Sequence, residues 1–142
     1  MVRLEYKILH PDAKCPSKKR ETDAGYDLAA IKDVSIYPQS TSPIPIGIAV
    51  AAPRGYYYTI EGRSGLSKEG IFPIRNVIDA TYNGPLFVIM CNMSSTMWTI
   101  RKGDRVAQLL LHEQLDINFE EIENFGKDYD IRGTAGWASS GR

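Results

Sequence analysis

The sequence predicts an all-β domain with little helix. Short apolar or alternating runs recur along its 142 residues, and turn residues separate them. Seven of these runs are predicted strands, at residues 4–9, 34–36, 44–51, 56–61, 86–91, 97–100 and 107–113. One short stretch, residues 66–69, is a predicted helix. Many brief strands of this kind favour a sandwich, a jelly roll or a small barrel.

Turn residues supply the breaks between the predicted strands. Proline removes a backbone donor and glycine relieves tight backbone, so both mark the ends of regular elements. The breaks are Pro38, Pro43, Pro53-Arg54-Gly55, Asn83-Gly84-Pro85 and Lys102-Gly103-Asp104. Neither an internal repeat nor a low-complexity segment divides the chain, and its length fits one domain with a real core.

Charge and composition narrow the possible partners. The formal net charge is zero, with acids and bases interspersed, so we expect no nucleic-acid or membrane-surface binding and favour a small-molecule ligand. No apolar run approaches the roughly 18 residues of a membrane helix. Cys15 and Cys91 have no metal-ligand spacing, and the first residues lack the features of a secretion signal. These observations predict a cytoplasmic protein with reduced thiols.

The last eleven residues have a composition suited to binding a ligand. Residues 132–142 place two arginines, three hydroxyl side chains and three glycines around one large aromatic, Trp137. Free backbone N–H groups and guanidinium donors suit a phosphate-bearing ligand with a flat ring. The alternative interpretation is a frayed chain end.

A second candidate segment follows the predicted strand 56–61. Gly62-Arg63-Ser64-Gly65 brings guanidinium donors, a hydroxyl and bare backbone amides to a strand end, which is an anion-binding arrangement. The alternative is a polar turn. The chain has no Gly-x-x-x-x-Gly-Lys-Ser/Thr loop, so a nucleoside triphosphate site here must be of another kind.

Three further segments place acids beside turns. Asp79 and Tyr82 could aim a carboxylate and a ring into one pocket, or could be a turn-capping acid and a core aromatic. Asp23 and Asp27 flank Gly25 and suit the water shell of a hard divalent cation. A third segment, Gly103 to Leu109, sets Asp, Arg and Gln at the start of an apolar strand. The last two segments could also be turns only.

Taken together in order and spacing, these five segments resemble the motifs of the trimeric deoxyuridine triphosphatase (dUTPase) family. The resemblance spans residues 23–141 and is carried by Ala24-Gly25-Tyr26-Asp27-Leu28, Arg63-Ser64-Gly65-Leu66, Val77-Ile78-Asp79-Ala80-Thr81-Tyr82-Asn83-Gly84, Gly103-Asp104-Arg105-Val106-Ala107-Gln108-Leu109 and the 132–141 tail. The chain departs from the family pattern at Gly62, Asn76, Thr81, Asn83, Ala135, Trp137 and Ala138. None of these positions removes a residue that must do chemistry.

The resemblance implies hydrolysis of dUTP to dUMP and pyrophosphate, which keeps uracil out of DNA and supplies dUMP for thymidylate synthesis. It implies Asp79 as the general base for water, Tyr82 stacking under the deoxyribose, and main-chain contacts from the 74–78 hairpin, including Asn76 and Ile78, to the uracil edge. The substrate triphosphate and its magnesium ion would be bound by Arg63, Ser64, Gly65 and Gln108, by Asp27 through a water of the Mg²⁺ shell, and by Arg132, Ser139 and Ser140, with Trp137 over the uracil.

The resemblance also implies a jelly-roll-like β domain, residues 1–131, that forms a homotrimer with active sites at the subunit interfaces. Residues 132–142 would be a flexible arm that closes over the site. Two rival functions remain open. The related dCTP deaminases carry a catalytic glutamate at a position that corresponds to Ile89. A non-catalytic trimer that regulates a protein partner would be expected to lack Asp79, although regulation in addition to catalysis stays open.

Overall fold

Ten strands and one helical turn make up the part of the chain that the computed structural model describes, residues 1–127. In order they are β1 (Glu5–Ile8), β2 (Tyr26–Ala29), β3 (Val34–Ile36), β4 (Ser40–Ala51), β5 (Tyr56–Glu61), α1 (Ser64–Ser67), β6 (Ile71–Pro73), β7 (Asn76–Ile78), β8 (Pro85–Asn92), β9 (Trp98–Ile100) and β10 (Arg105–Glu113). Two antiparallel four-stranded sheets, β1-β4-β8-β6 and β2-β10-β5-β7, are joined by a β3-β9 ribbon. The all-β, jelly-roll-like prediction is confirmed.

An apolar core forms between the two larger sheets. Residues of β8 alternate between outside and inside, and Leu86, Val88 and Met90 are at most 2% exposed. Tyr58 and Ile60 of β5 belong to the same buried cluster from the other sheet. Each such side chain contributes about 1.5–3 kcal/mol on burial, so the alternating pattern fixes which face of each strand is inside.

Strand β4 runs through a predicted break. Pro43 was expected to end a strand, but β4 continues from Ser40 to Ala51, so that prediction is wrong. Pro45 accepts a hydrogen bond from the Ile31 N–H, which shows that its backbone faces away from β8. Pro43 shares this orientation because it lies two residues earlier, and neither proline therefore removes a bond of the β4–β8 ladder.

Three short strands were not predicted, namely β2, β6 and β7. Each has three or four residues, too few to show a period of two. The helix is one turn at Ser64–Ser67, two residues before the predicted position. No helix within residues 1–127 has the length and apolar character needed to cross a membrane.

The β2-β10-β5-β7 sheet positions the candidate segments. Gln108 on β10 lies opposite Asp27 on β2 and opposite Glu61 on β5. Glu61 is the last residue of its strand, so the Arg63-Ser64 segment begins beside Gln108. Strand β7, at the outer edge of the same sheet, leads into the Asp79 turn.

Candidate functional site

A cleft of about 400 Å³ lies where β2, β10 and the end of β5 meet. We call it the cationic cleft. It is lined by Lys19, Arg20, Asp23, Ala24, Gly25, Asp27, Arg63, Ser64, Gly65, Arg105 and Gln108. The four residues Arg63, Ser64, Gly65 and Gln108, together with Asp27, were predicted from the sequence as site residues, and the structure brings all five into this one cleft.

Asp27 orients two arginines in the cationic cleft. Its Oδ1 lies 2.9 Å from Arg63 Nε and its Oδ2 lies 3.1 Å from Arg105 Nη1. Arg63 Nη1 also donates to the Arg105 carbonyl at 3.0 Å. The Asp27 side chain is only 17% exposed, so its charge is screened little by water. Both guanidinium groups are consequently held in place with donors left over for an anion.

Gln108 is fixed by the neighbouring backbone. Its Nε2 donates to the Gly62 carbonyl at 2.8 Å. A Cβ atom on Gly25 would overlap Gln108 Oε1 and would lie 2.9 Å from Gln108 Cβ and Cδ. Because Gly25 has no side chain, it leaves the space that the Gln108 side chain occupies.

The α1 turn presents backbone donors to the same cleft. Leu66 and Ser67 donate their N–H groups to the Arg63 carbonyl at 3.1 and 3.0 Å. The preceding N–H groups, of Ser64 and Gly65, have no backbone acceptor within residues 1–127. First-turn N–H groups of this kind are available to an anion.

A second cleft of about 290 Å³, the hairpin cleft, lies beside β7. It is lined by Asn76, Val77, Ile78, Asp79, Tyr82, Pro85, Leu86, Phe87 and Ile89. Four of these, Asn76, Ile78, Asp79 and Tyr82, were predicted as site residues. The cleft combines apolar walls with one carboxylate, which suits a flat heterocycle beside a reacting group.

Tyr82 and Asp79 stand at the turn after β7. The Tyr82 N–H donates to the Asp79 carbonyl at 3.1 Å, and the Tyr82 hydroxyl donates to the Pro85 carbonyl at 2.8 Å. A Cβ atom on Gly84 would lie 2.8 Å from the Tyr82 hydroxyl oxygen, so glycine lets the ring lie across the turn. Asp79 is exposed, and its carboxylate has no hydrogen-bond or ion-pair partner in the described part of the chain. It is thus able to accept a proton from water.

An ion pair links the strands that lead to the two clefts. Arg75 Nε donates to Glu61 Oε1 at 2.6 Å. The guanidinium hydrogen bond holds the pKa of Glu61 below its usual range, while the same contact raises the pKa of Arg75. Glu61 ends β5 and Arg75 directly precedes β7, so the pair connects the end of one strand to the start of the next strand of the same sheet.

Within one protomer the predicted site residues thus fall into two separate clefts. The structure does not place Asp79 in the cleft that holds Arg63 and Gln108. The remaining predicted residues, Arg132, Trp137, Ser139 and Ser140, lie outside the described residues. Among residues 1–127, no group of three or more His, Cys, Asp or Glu side chains could ligate a metal ion directly.

Several residues that line the clefts were not predicted as site residues, among them Lys19, Arg20, Arg105 and Phe87. Phe87, on the predicted strand 86–91, is 45% exposed and lines the hairpin cleft. The alternation of residues along β8, in which Leu86 and Val88 point inward, predicts that Phe87 between them points outward. Lys19 and Arg20 belong to a polar loop whose sequence gives no sign that it folds back onto β2.

The fold and the clefts define an all-β protein with an anion-binding cleft and a second, largely apolar cleft. A family model described as dUTPase matches residues 11–141. The chain belongs to the dUTPase family.

Relatives of known name agree with this assignment. A deoxyuridine 5'-triphosphate nucleotidohydrolase of avian adenovirus 8 is 38% identical over 99% of this chain and 85% of its own length. One of Rhodococcus erythropolis is 40% identical over 95% of this chain and 84% of its own. Among solved structures, a variant dUTPase of Staphylococcus bacteriophage 80alpha with dUpNHpp has a TM-score of 0.88 at 27% identity and covers 99% of each chain.

Proposed function

We propose that this protein hydrolyses dUTP to dUMP and pyrophosphate, and that the cationic cleft binds the triphosphate while the hairpin cleft binds the nucleoside. The reaction follows from membership of the dUTPase family, and the chain is a dUTP diphosphatase. Water attacks the α-phosphorus, its proton passes to a base, and the bond from the α-phosphorus to the bridging oxygen of the β-phosphate breaks. Pyrophosphate is the leaving group.

The cationic cleft supplies the phosphate contacts. Arg63, Ser64 and Gln108 bind the α- and β-phosphates, with the free N–H of Gly65 beside them. Support comes from the Asp27 carboxylate, which holds Arg63 in place before substrate arrives. Phosphoryl transfer needs positioning and charge neutralisation more than covalent help, and these groups provide both.

Magnesium fits this cleft as an ion carried by the substrate. Asp27 is a single carboxylate that already accepts bonds from Arg63 and Arg105, which suits contact with a water of the ion's shell better than direct ligation. When bound, Mg²⁺ neutralises phosphate charge during the displacement. A solved dUTPase of Staphylococcus aureus phage phi11, 25% identical to this chain with a TM-score of 0.80, is described with a structural Mg(II) ion.

The hairpin cleft supplies the base and the sugar contact. Asp79 orients and deprotonates the attacking water, and its unpartnered carboxylate supports this role. Tyr82 stacks on the deoxyribose and leaves no room for a 2′-hydroxyl, since its ring is held against the turn through Pro85. The backbone of Asn76 and Ile78 bonds the uracil edge. Ile89 lines the same cleft and cannot transfer protons, which speaks against deamination.

Because no single protomer joins the two clefts, we place the active site between subunits of a homotrimer. The residues after β10 support such an assembly. Leu115, Ile117 and Phe119 alternate along residues 114–120 and are 79%, 71% and 89% exposed. A segment whose apolar side chains are exposed in this way is stabilised by another surface, and a second copy of the chain offers one.

The tail completes the proposed site. Residues 132–142 form an arm beyond the 1–131 domain and close over the substrate. Arg132, Ser139 and Ser140 bind the γ-phosphate, and Trp137 covers the uracil. We place the enzyme in the cytoplasm, in keeping with two free thiols, Cys15 and Cys91. A regulatory protein partner stays open.

Pyrophosphate release tests the proposal directly. With Mg²⁺ present, the purified protein should release pyrophosphate from dUTP far faster than from dCTP, dTTP or UTP. Equal rates on UTP and dUTP would contradict sugar selection by the hairpin cleft. Ammonia release from dCTP would indicate the deaminase reaction instead. Light scattering on the same sample measures the mass, for which the proposal expects three copies of 15.9 kDa.

A further inference from the structure

The loop that carries Lys19 and Arg20 is held by bonds of its own. Lys18 Nζ donates to the carbonyls of Glu21 at 2.8 Å and of Asp23 at 3.3 Å. The Arg20 N–H donates to Asp23 Oδ2 at 2.9 Å, and the Asp23 N–H donates back to the Arg20 carbonyl at 3.1 Å. The backbone at positions 19 and 20 is thus fixed before a ligand arrives, which lowers the entropic cost of using these residues in binding.

Their side chains, in contrast, have no partner in the described part of the chain, residues 1–127. Lys19 and Arg20 are both exposed and line the cationic cleft. Neither side chain has a hydrogen-bond or ion-pair partner within residues 1–127, whereas Arg63 and Arg105 share Asp27. The cleft holds four cationic and two anionic side chains, a net charge of 4 − 2 = +2. Lys19 and Arg20 are the two of these four cations without an ion-pair partner within residues 1–127.

We propose that Lys19 and Arg20 bind the β- and γ-phosphates and select the triphosphate over the monophosphate. The inference rests on the proposed function, because it takes the cationic cleft as the phosphate site. Asp27, Arg63 and Gln108 are partly buried and are taken as the inner part of the cleft, whereas Lys19 and Arg20 are exposed and are taken as its rim. A monophosphate bound at the inner part gains little from the rim. A triphosphate extends to it and gains two charge-assisted contacts.

Binding measurements on a double variant test this. Lys19→Gln/Arg20→Gln should weaken binding of dUpNHpp with Mg²⁺ by at least about 10-fold in titration calorimetry, and should raise KM for dUTP similarly. Its affinity for dUMP should change less than about twofold. The affinity for dUpNHpp should also depend less on salt than in the wild type. Lys19→Arg/Arg20→Lys should keep wild-type affinity, because both charges remain.

Lys32→Gln/Arg54→Gln is the matched control. It removes the same two charges from exposed positions that do not line the cleft, so dUpNHpp binding should stay near wild type. Wild-type dUpNHpp affinity in the Lys19→Gln/Arg20→Gln variant would overturn the inference, as would an equal loss for dUMP.

Failure of the proposed function would look different. A wild-type protein that binds dUpNHpp without hydrolysing dUTP would remove the activity and leave the rim contacts standing, provided that the double variant still binds more weakly. A wild-type protein that binds neither dUpNHpp nor inorganic triphosphate would overturn both.

Discussion

Adding one methyl group at Gly25 should weaken phosphate binding. In Gly25→Ala, the new Cβ would overlap Gln108 Oε1 and approach Gln108 Cβ and Cδ to 2.9 Å. Gly25 is buried, and the contact includes the Gln108 Cβ as well as its flexible end, so rotation of the side chain does not relieve it fully. The amide must leave its place, and its 2.8 Å bond to the Gly62 carbonyl is lost.

Two effects, on stability and on substrate binding, follow from this overlap. Overpacking of a well-packed site costs about 1–3 kcal/mol. In a domain of this length that lowers the melting temperature by about 3–9 °C. Loss of a hydrogen bond to a charged phosphate costs about 1.5–3 kcal/mol, which raises KM for dUTP by about 10-fold or more. The change in KM should therefore be visible in a variant that is still folded at 25 °C.

Thermal unfolding and steady-state kinetics separate these effects. Gly65→Ala is the control for stability, because a Cβ at position 65 meets nothing within 4 Å, and its melting temperature should stay near that of the wild type. A Gly25→Ala protein with unchanged melting temperature and unchanged KM would show that Gln108 does not occupy the place described.

Three further predictions concern the hairpin cleft and the strands that lead to it. Asp79→Asn should lower kcat by about 10²–10⁴-fold and keep dUpNHpp affinity, since it removes the base and little else; near-normal turnover would take Asp79 out of the mechanism. Tyr82→Ala should raise kcat/KM for UTP relative to dUTP by about 10-fold or more, and an unchanged ratio would place sugar selection elsewhere. Arg75→Met should lower the melting temperature slightly at pH 7, and the gap should close towards pH 3. The gap closes at low pH because the folded-state pKa of Glu61 is lowered. The stabilisation that Glu61 gives to the folded state is therefore present above its unfolded pKa of about 4.3 and is lost as pH falls through its folded pKa. A gap that persists at pH 3 would mean that Arg75 acts through packing.

Seven of the ten strands within residues 1–127 could be predicted from the sequence, and three short ones, β2, β6 and β7, could not. Strand β5 has the predicted bounds because turn residues flank an apolar run. Strands β2 and β7 owe their extended form to pairing with β10 and β5, which are distant in the chain. The prediction for Pro43 was wrong because a proline whose backbone faces no neighbouring strand removes no hydrogen bond from the sheet. The sequence does not show which positions have this orientation.

Prediction of the candidate site from the sequence is limited in the same way, by contacts between residues that are distant in the chain. The sequence placed Asp27, Arg63 and Gln108 in separate motifs, and the antiparallel order of β2, β10 and β5 explains why they meet. The family resemblance implies that Asp79 and Arg63 come from different subunits, but the residues alone could not show two clefts, because that depends on where the β7 edge points. Nor could they show the place of Lys19, which depends on the fold of an irregular loop.

Subunit complementation tests the central claim, that the two clefts act together across a protomer boundary. Arg63→Gln disables one cleft and Asp79→Asn the other, so each homotrimer should be nearly inactive. Co-refolded at equal amounts, the two variants should recover about one quarter of wild-type activity. Each interface joins two randomly chosen protomers, and one pairing in about four has both clefts intact. Light scattering confirms that the mixture assembles as the wild type does. A mixture that assembles but stays as inactive as its parents would show that each active site lies within a single protomer.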